Sequence, residues 1–185
     1  EADGDPRVKK AVAQTVQRLV GALPSRQEAE QFLVRQVRGY LSGVPVKPAD
    51  LEGRVAIWEW SESAATVVST VQPARLASML KARKLAADLH QLDSENIDFR
   101  RLFLVAVLET EKRLVGLDEP LDRESVDCQQ VAALGAEALQ DGLLFAVREK
   151  YLAAATATAE LLGDQDDIAL LRGVNGRMQP LVQHL

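Results

Sequence analysis

Two histidines, His90 and His184, and one cysteine, Cys128, are the residues in this chain best suited to nucleophilic, acid-base or soft-metal chemistry. The histidines fall in separate helical patterns with no carboxylate-cysteine arrangement beside them. A zinc site or an acid-base pair needs more groups than that, so both read as surface or boundary histidines. Cys128 opens a helical pattern rich in small residues, a position where a helix N-terminus can lower a thiol pKa. No partner histidine is identifiable, and a structural thiol is the plainer reading. Asp164-Gln165-Asp166-Asp167 has the look of a cation loop, but an EF-hand needs glycine at the sixth position and glutamate at the twelfth, and neither register fits. A solvated inter-helix turn explains it. Gly173 and Gly176 lack the strand, lysine and hydroxyl residue of a phosphate-cradling loop. The expectation is therefore no catalytic residue, no metal ligand and no cofactor.

The remaining candidates belong to binding. Lys81, Arg83 and Lys84, then Arg100 and Arg101, then Lys112 and Arg113 form local basic clusters on an otherwise acidic chain. They could line one end of a central helix pair and attract an acidic partner, or they could be ordinary solvated helix faces. Trp58 and Trp60 lie two residues apart, on one face of a strand whose other face carries Val55 and Ile57. Tryptophan is enriched at binding hot spots and is equally suited to anchoring a hairpin on helices. Trp58, Trp60, Arg83, Lys84, Arg100 and Arg101 are accordingly the candidate partner-binding residues.

The elements that must position them are mostly helices. Asp5 followed by Pro6 is an N-cap with proline in the first helical turn, and Val8, Val12, Val16, Leu19 and Leu23 recur at three- and four-residue spacing. Pro24 ends that helix. Ser25 with Glu28 is a capping box that opens a second helix, joined so closely that the two are expected to be antiparallel neighbours. Residues 42–53 collapse into Gly43, Pro45, Pro48 and Gly53, a loop. The period then changes to two: residues 54–60 and 66–71, around Ser61-Glu62-Ser63, predict a β-hairpin that should pack its tryptophan-bearing face on a helix, because an isolated hairpin is marginal in water.

Helix resumes at Pro73 and stops at the turn Asp93-Ser94-Glu95-Asn96. The next helix, about 98–115, is apolar almost all round between Leu102 and Leu108, which predicts neighbours on both sides. Gly116 caps it. Past an acidic loop holding Pro120, helical patterns resume near Ser125, break around Asp141-Gly142, and run through Ala153-Ala154-Ala155 to Gly163. A short apolar segment, Ile168 to Leu171, and a helix beginning at Pro180 close the sequence. Repeated helix-turn-helix units of roughly 35 to 45 residues follow the logic of solenoids, in which each pair buries its face on the next.

The segment Asp5-Pro6-Arg7-Val8-Lys9-Lys10-Ala11-Val12-Ala13 resembles the second helix of HEAT repeats, with an aspartate cap and a valine and an alanine facing the core. Ala154 to Gly163, then Asp164 to Leu171 and Pro180-Leu181-Val182, is similar to a further unit and the start of another. The middle, from Lys81 through Asp93-Ser94-Glu95-Asn96 to Leu108, resembles a tetratricopeptide hairpin, with serine where that turn carries proline. Together with the Trp58-Glu59-Trp60 insert, the pattern resembles bacterial HEAT-repeat proteins of the planctomycete type. The resemblance implies a mainly all-α superhelix of stacked helix hairpins with a small β-hairpin insert at 54–71, and binding of protein or peptide without an activity. The units would be residues 1–41, 54–71, 73–115 and 125–185, the last truncated.

Bulk properties agree with that class. At 185 residues and 47% hydrophobic the chain can bury a substantial core without disulfides, and an aromatic content of 4% favours helices packed through alanine and leucine. One cysteine excludes an intrachain disulfide framework. The net charge of −5 is concentrated late, with 5 Lys and Arg against 12 Asp and Glu over 116–185, so a duplex-neutralising cationic stripe is not expected, nor is nucleic acid as a partner. No apolar run has the length of a membrane span. A start at Glu1 and a finish within an amphipathic pattern suggest a fragment or processed form. Function is thus expected to be that of a scaffold, or alternatively of a regulatory or spacer part of a larger enzyme or secreted protein. Compartment and oligomeric state are not written in the sequence.

Overall fold

The structure is a computed structural model that describes residues 5–47, 50–61 and 63–163. Within them the chain is mainly helical with one small sheet. The order is α1 (Pro6–Val20), α2 (Arg26–Leu41), β1 (Arg54–Ser61), β2 (Thr66–Pro73), α3 (Ala74–Leu92), α4 (Ile97–Val115), α5 (Val126–Ala132), α6 (Ala136–Arg148) and α7 (Leu152–Gly163). The segments Asp164 to Leu171 and Pro180-Leu181-Val182, with His184, Gly173 and Gly176, lie outside the described residues.

The chain divides at Leu33 and Val34 into two compact units. In the first, α1 begins where Asp5 Oδ1 accepts the Arg7 amide at 2.7 Å and Pro6 sets the first turn. It ends at Gly21, whose φ of 83° is the left-handed cap that favours glycine. The capping box opens α2: Ser25 Oγ accepts the Glu28 amide at 3.2 Å and Glu28 Oε2 accepts the Ser25 amide at 2.8 Å. Val8, Val12 and Leu19 stay exposed, so α1 does not bury the stripe its period creates.

The second unit holds the main core. α4 lies at its centre, packed against α3, α5, α6 and α7, while α6 packs on α7. Every residue from Leu102 to Thr110 is buried, as expected of a helix without a polar side. Two helix hairpins, α3 with α4 and α6 with α7, are joined to one another by an equally extensive contact of α4 with α7 and α6. The turn between α3 and α4 is fixed by Asn96, whose Oδ1 accepts the amides of Asp98 and Phe99 at 3.0 and 3.3 Å.

Two further departures from the sequence reading lie in the second unit. Helix does not break at Asp141-Gly142. Gly142 sits inside α6 and serves close packing, since a Cβ there would lie 2.6 Å from Leu104 Cδ1 on α4. The actual stops are Gly135 and Lys150, with positive φ of 87° and 65°. The hairpin also turns the other way. Val55 is buried and Ile57 half-buried on the face toward the helices, whereas Trp58 and Trp60 are 69% and 63% exposed. The alternation was legible, but an alternating strand does not say which of two apolar faces is inward.

Candidate functional site

Antiparallel pairing of β1 with β2 matches Arg54 to Pro73, Ala56 to Val71, Trp58 to Ser69 and Trp60 to Val67. The main-chain groups of Arg54 point away from β2: its carbonyl accepts the Asp50 amide at 2.8 Å and its own amide donates to Asp50 Oδ1 at 2.7 Å. Gly53 points inward, its carbonyl accepting from Ala74 at 2.8 Å. Because inward and outward groups alternate along an antiparallel strand, Ala56, Trp58 and Trp60 present their N–H and C=O groups on the outer edge of β1. Among the described residues no other main-chain group bonds to that edge beyond Arg54.

Beside the edge is a cavity of about 500 Å³, within the range of roughly 300–1,000 Å³ usual for ligand sites. Val55 to Trp58 form one wall and Ala77, Leu80, Lys81, Lys84 and Ala87 of α3 form the other. These five recur at helical spacing and so share one face of α3. Phe103 and Val107 of α4 add apolar surface, while Asp127 and Gln130 of α5 add polar groups. Val46 closes one end and is held by Ser78, whose buried hydroxyl accepts the Val46 amide at 3.1 Å and donates to the Val44 carbonyl at 2.9 Å.

The basic clusters separate sharply once their partners are known. Arg83 Nη1 binds Glu111 Oε1 at 2.9 Å and Asp127 Oδ2 at 2.5 Å, tying α3 to α4 and α5. Arg101 grips Asp141 of α6 with two bonds, at 2.8 and 2.7 Å. Lys112, 1% exposed, donates to the Glu119 carbonyl and to Glu160 Oε1 of α7, both at 2.5 Å. Arg113 Nε binds Glu109 Oε1 at 2.7 Å, and the other oxygen of that buried carboxylate accepts the Ala154 amide in the first turn of α7 at 2.8 Å. Arg100 is half-buried near His90. Arg83, Arg101 and Lys112 thus tie one helix to another, while Arg113 pairs within α4. Lys81 and Lys84 are different. Both are exposed at the cavity, Lys81 has its ammonium 5.6 Å from the centre of the Tyr40 ring, and Lys84 has no ion-pair partner among the described residues.

Of the three residues suited to catalysis, His90 and Cys128 lie among the described residues. His90 stacks on Phe103 with ring centres 4.9 Å apart, and burial, followed by the charge of Arg100, lowers its pKa. Cys128 is buried, and that burial, aided by Glu111, Asp122 and Asp127, raises its thiol pKa against the weaker opposing bond to Ser125. That shift is opposite in direction to the one a helix N-terminus produces. Burial likewise raises the Glu111 carboxyl, with Arg83 opposing it.

The sequence singled out Trp58, Trp60, Arg83, Lys84, Arg100 and Arg101. The structure brings Trp58 and Lys84 to the cavity with Arg83 in its wall, leaves Trp60 further along the strand, and places Arg101 in the α4–α6 contact. What was missed is that Lys81 and Lys84 share one face of α3 with Ala77, Leu80 and Ala87: that spacing was visible, but a strand edge opposite it was not. No helix among the described residues is long and apolar enough to cross a membrane. No protein-family model, no curated protein and no solved structure matches this chain.

Proposed function

We propose that the chain is a protein- or peptide-binding scaffold module that performs no chemistry of its own. In this reading its stacked hairpins are HEAT-like and tetratricopeptide-like units of an α-solenoid. Two features support the scaffold: α3/α4 and α6/α7 are helix hairpins packed on one another through α4, and polar ties such as Arg101 to Asp141 fix one hairpin against the next. A single observation carries the binding part. The body satisfies Arg83, Arg101 and Lys112 internally, yet leaves Lys81 and Lys84 exposed on one wall of the cavity, opposite a strand edge. Exposed lysines above apolar walls suit an acidic and partly apolar peptide.

The test is a random-peptide display library panned against the domain and, in parallel, against the Lys81→Glu, Lys84→Glu double variant. Enrichment of acidic sequences on the first, lost on the second, is expected. A library that enriches nothing on the wild-type domain contradicts the reading.

A further inference from the structure

Resting on that peptide-binding reading, we infer that the partner is an extended acidic segment that adds to the outer edge of β1 as a third strand, antiparallel or parallel, in the groove between β1 and α3. The backbone carries the first part of the argument. β1 has a partner on one side only, and its outward N–H and C=O groups at Ala56, Trp58 and Trp60 have no main-chain partner among the described residues. At Arg54 the same edge is already bonded, by Asp50, so the chain itself shows that the edge accepts main-chain pairing. A row of unpaired main-chain groups on an edge strand is a template for strand addition, and peptide recognition by this route is a general solution.

Side chains select which edge and which peptide. The outer edge of β2 presents Val67, Ser69 and Val71, but no β2 residue lines the cavity, whereas Val55, Ala56, Ile57 and Trp58 all do. A strand laid along β1 would alternate its side chains between two faces. One set would enter the cavity among Ile57, Leu80, Phe103 and Val107, and would be apolar. The other would lie on the solvent side beside Trp58 and Trp60. Lys81 and Lys84, on the opposite wall, favour carboxylates along the segment and disfavour a basic one.

The probes are heptapeptides of alternating valine and glutamate, the same peptide with its backbone amides N-methylated, and a valine–lysine counterpart. Binding is followed through the fluorescence of Trp58 and Trp60 and through amide hydrogen exchange of residues 54–61. Strand addition predicts that the valine–glutamate peptide binds, slows exchange at Ala56, Trp58 and Trp60, and loses about tenfold or more in affinity on N-methylation. The double substitution Lys81→Glu, Lys84→Glu should reverse the preference toward the valine–lysine peptide. Equal binding by the N-methylated peptide, or binding with no slowing at those amides, overturns strand addition while leaving peptide binding intact. Protection of the same amides without peptide, rising with protein concentration, overturns it in favour of pairing between two copies. Failure of the valine–glutamate peptide to bind overturns it as well. Failure of any peptide to be enriched from the display library removes the underlying reading along with it.

Discussion

Inside the α3–α7 body Glu109 and Lys112 are buried, at 4% and 1% exposure, while on the hairpin Trp58 and Trp60 stand at 69% and 63%. The usual distribution is inverted in both places, for different physical reasons. Buried charge is tolerated in the body because each group is fully answered: Glu109 by Arg113 and by the first turn of α7, Lys112 by Glu160 and the Glu119 carbonyl. These bonds cost desolvation and return geometry, holding α4, α7 and the loop between α4 and α5 in one arrangement. Among the described residues the exposed tryptophans have no such internal answer. An apolar pair left outward on a strand contributes little to the stability of the chain and is the surface that the proposed peptide would cover.

That contrast is breakable from either side. The largest effect should come from Glu109→Ala, which strands Arg113 and strips the α7 N-terminus of its acceptor. A loss of about 3 kcal/mol in urea unfolding is expected, the low end for a broken buried pair because Arg113 can turn to water. Gly142→Ala should cost about 1–3 kcal/mol in the same measurement, because the new Cβ would meet Leu104 at 2.6 Å. Trp58→Ala and Trp60→Ala should each change stability by no more than about 0.5 kcal/mol, while impairing peptide capture. A loss from either tryptophan comparable to that of Glu109→Ala would erase the distinction between the two regions.

The smallest effect is one of pH. Asp141 has its carboxyl lowered below the usual 3.8, first by its hydrogen bonds to Arg101. Because the folded pKa is the depressed one, the pair's stability is present above 3.8 and is lost as pH falls below it toward the folded value. Asp141→Asn should therefore flatten the stability profile below that pH and leave its shape near neutrality unchanged, as read by thermal melts across an acid series.

The distinction also explains how much of the molecule was legible in the sequence. Caps and periods are local, and they located α1 through Asp5 and Pro6, α2 through Ser25 and Glu28, and the buried course of α4 from Leu102 to Leu108. Pairing between distant residues is not local. Nothing near Arg101 announces Asp141, and nothing near Lys112 announces Glu160, at separations of 40 and 48 residues. The basic clusters therefore looked uniform along the chain, although Arg83, Arg101 and Lys112 bind distant carboxylates while Lys81 and Lys84 stay exposed. Gly142 misled for a related reason: a glycine kept for Leu104 is indistinguishable, along the chain, from a glycine that ends a helix. The hairpin was readable in position and period, but its inward face depended on what α3 offered it.

Tryptophan fluorescence tests the central claim most directly, because the chain's two tryptophans both lie in β1 and excitation at the red edge of the tryptophan band leaves Tyr40 and Tyr151 dark. In the native protein, with folding verified by far-UV circular dichroism, the account predicts a red-shifted emission close to that of tryptophan in water and quenching by acrylamide nearly as efficient as in the urea-unfolded chain. A blue-shifted native emission, protected from acrylamide and released only on unfolding, would place the tryptophans in the core and contradict an outward-facing hairpin.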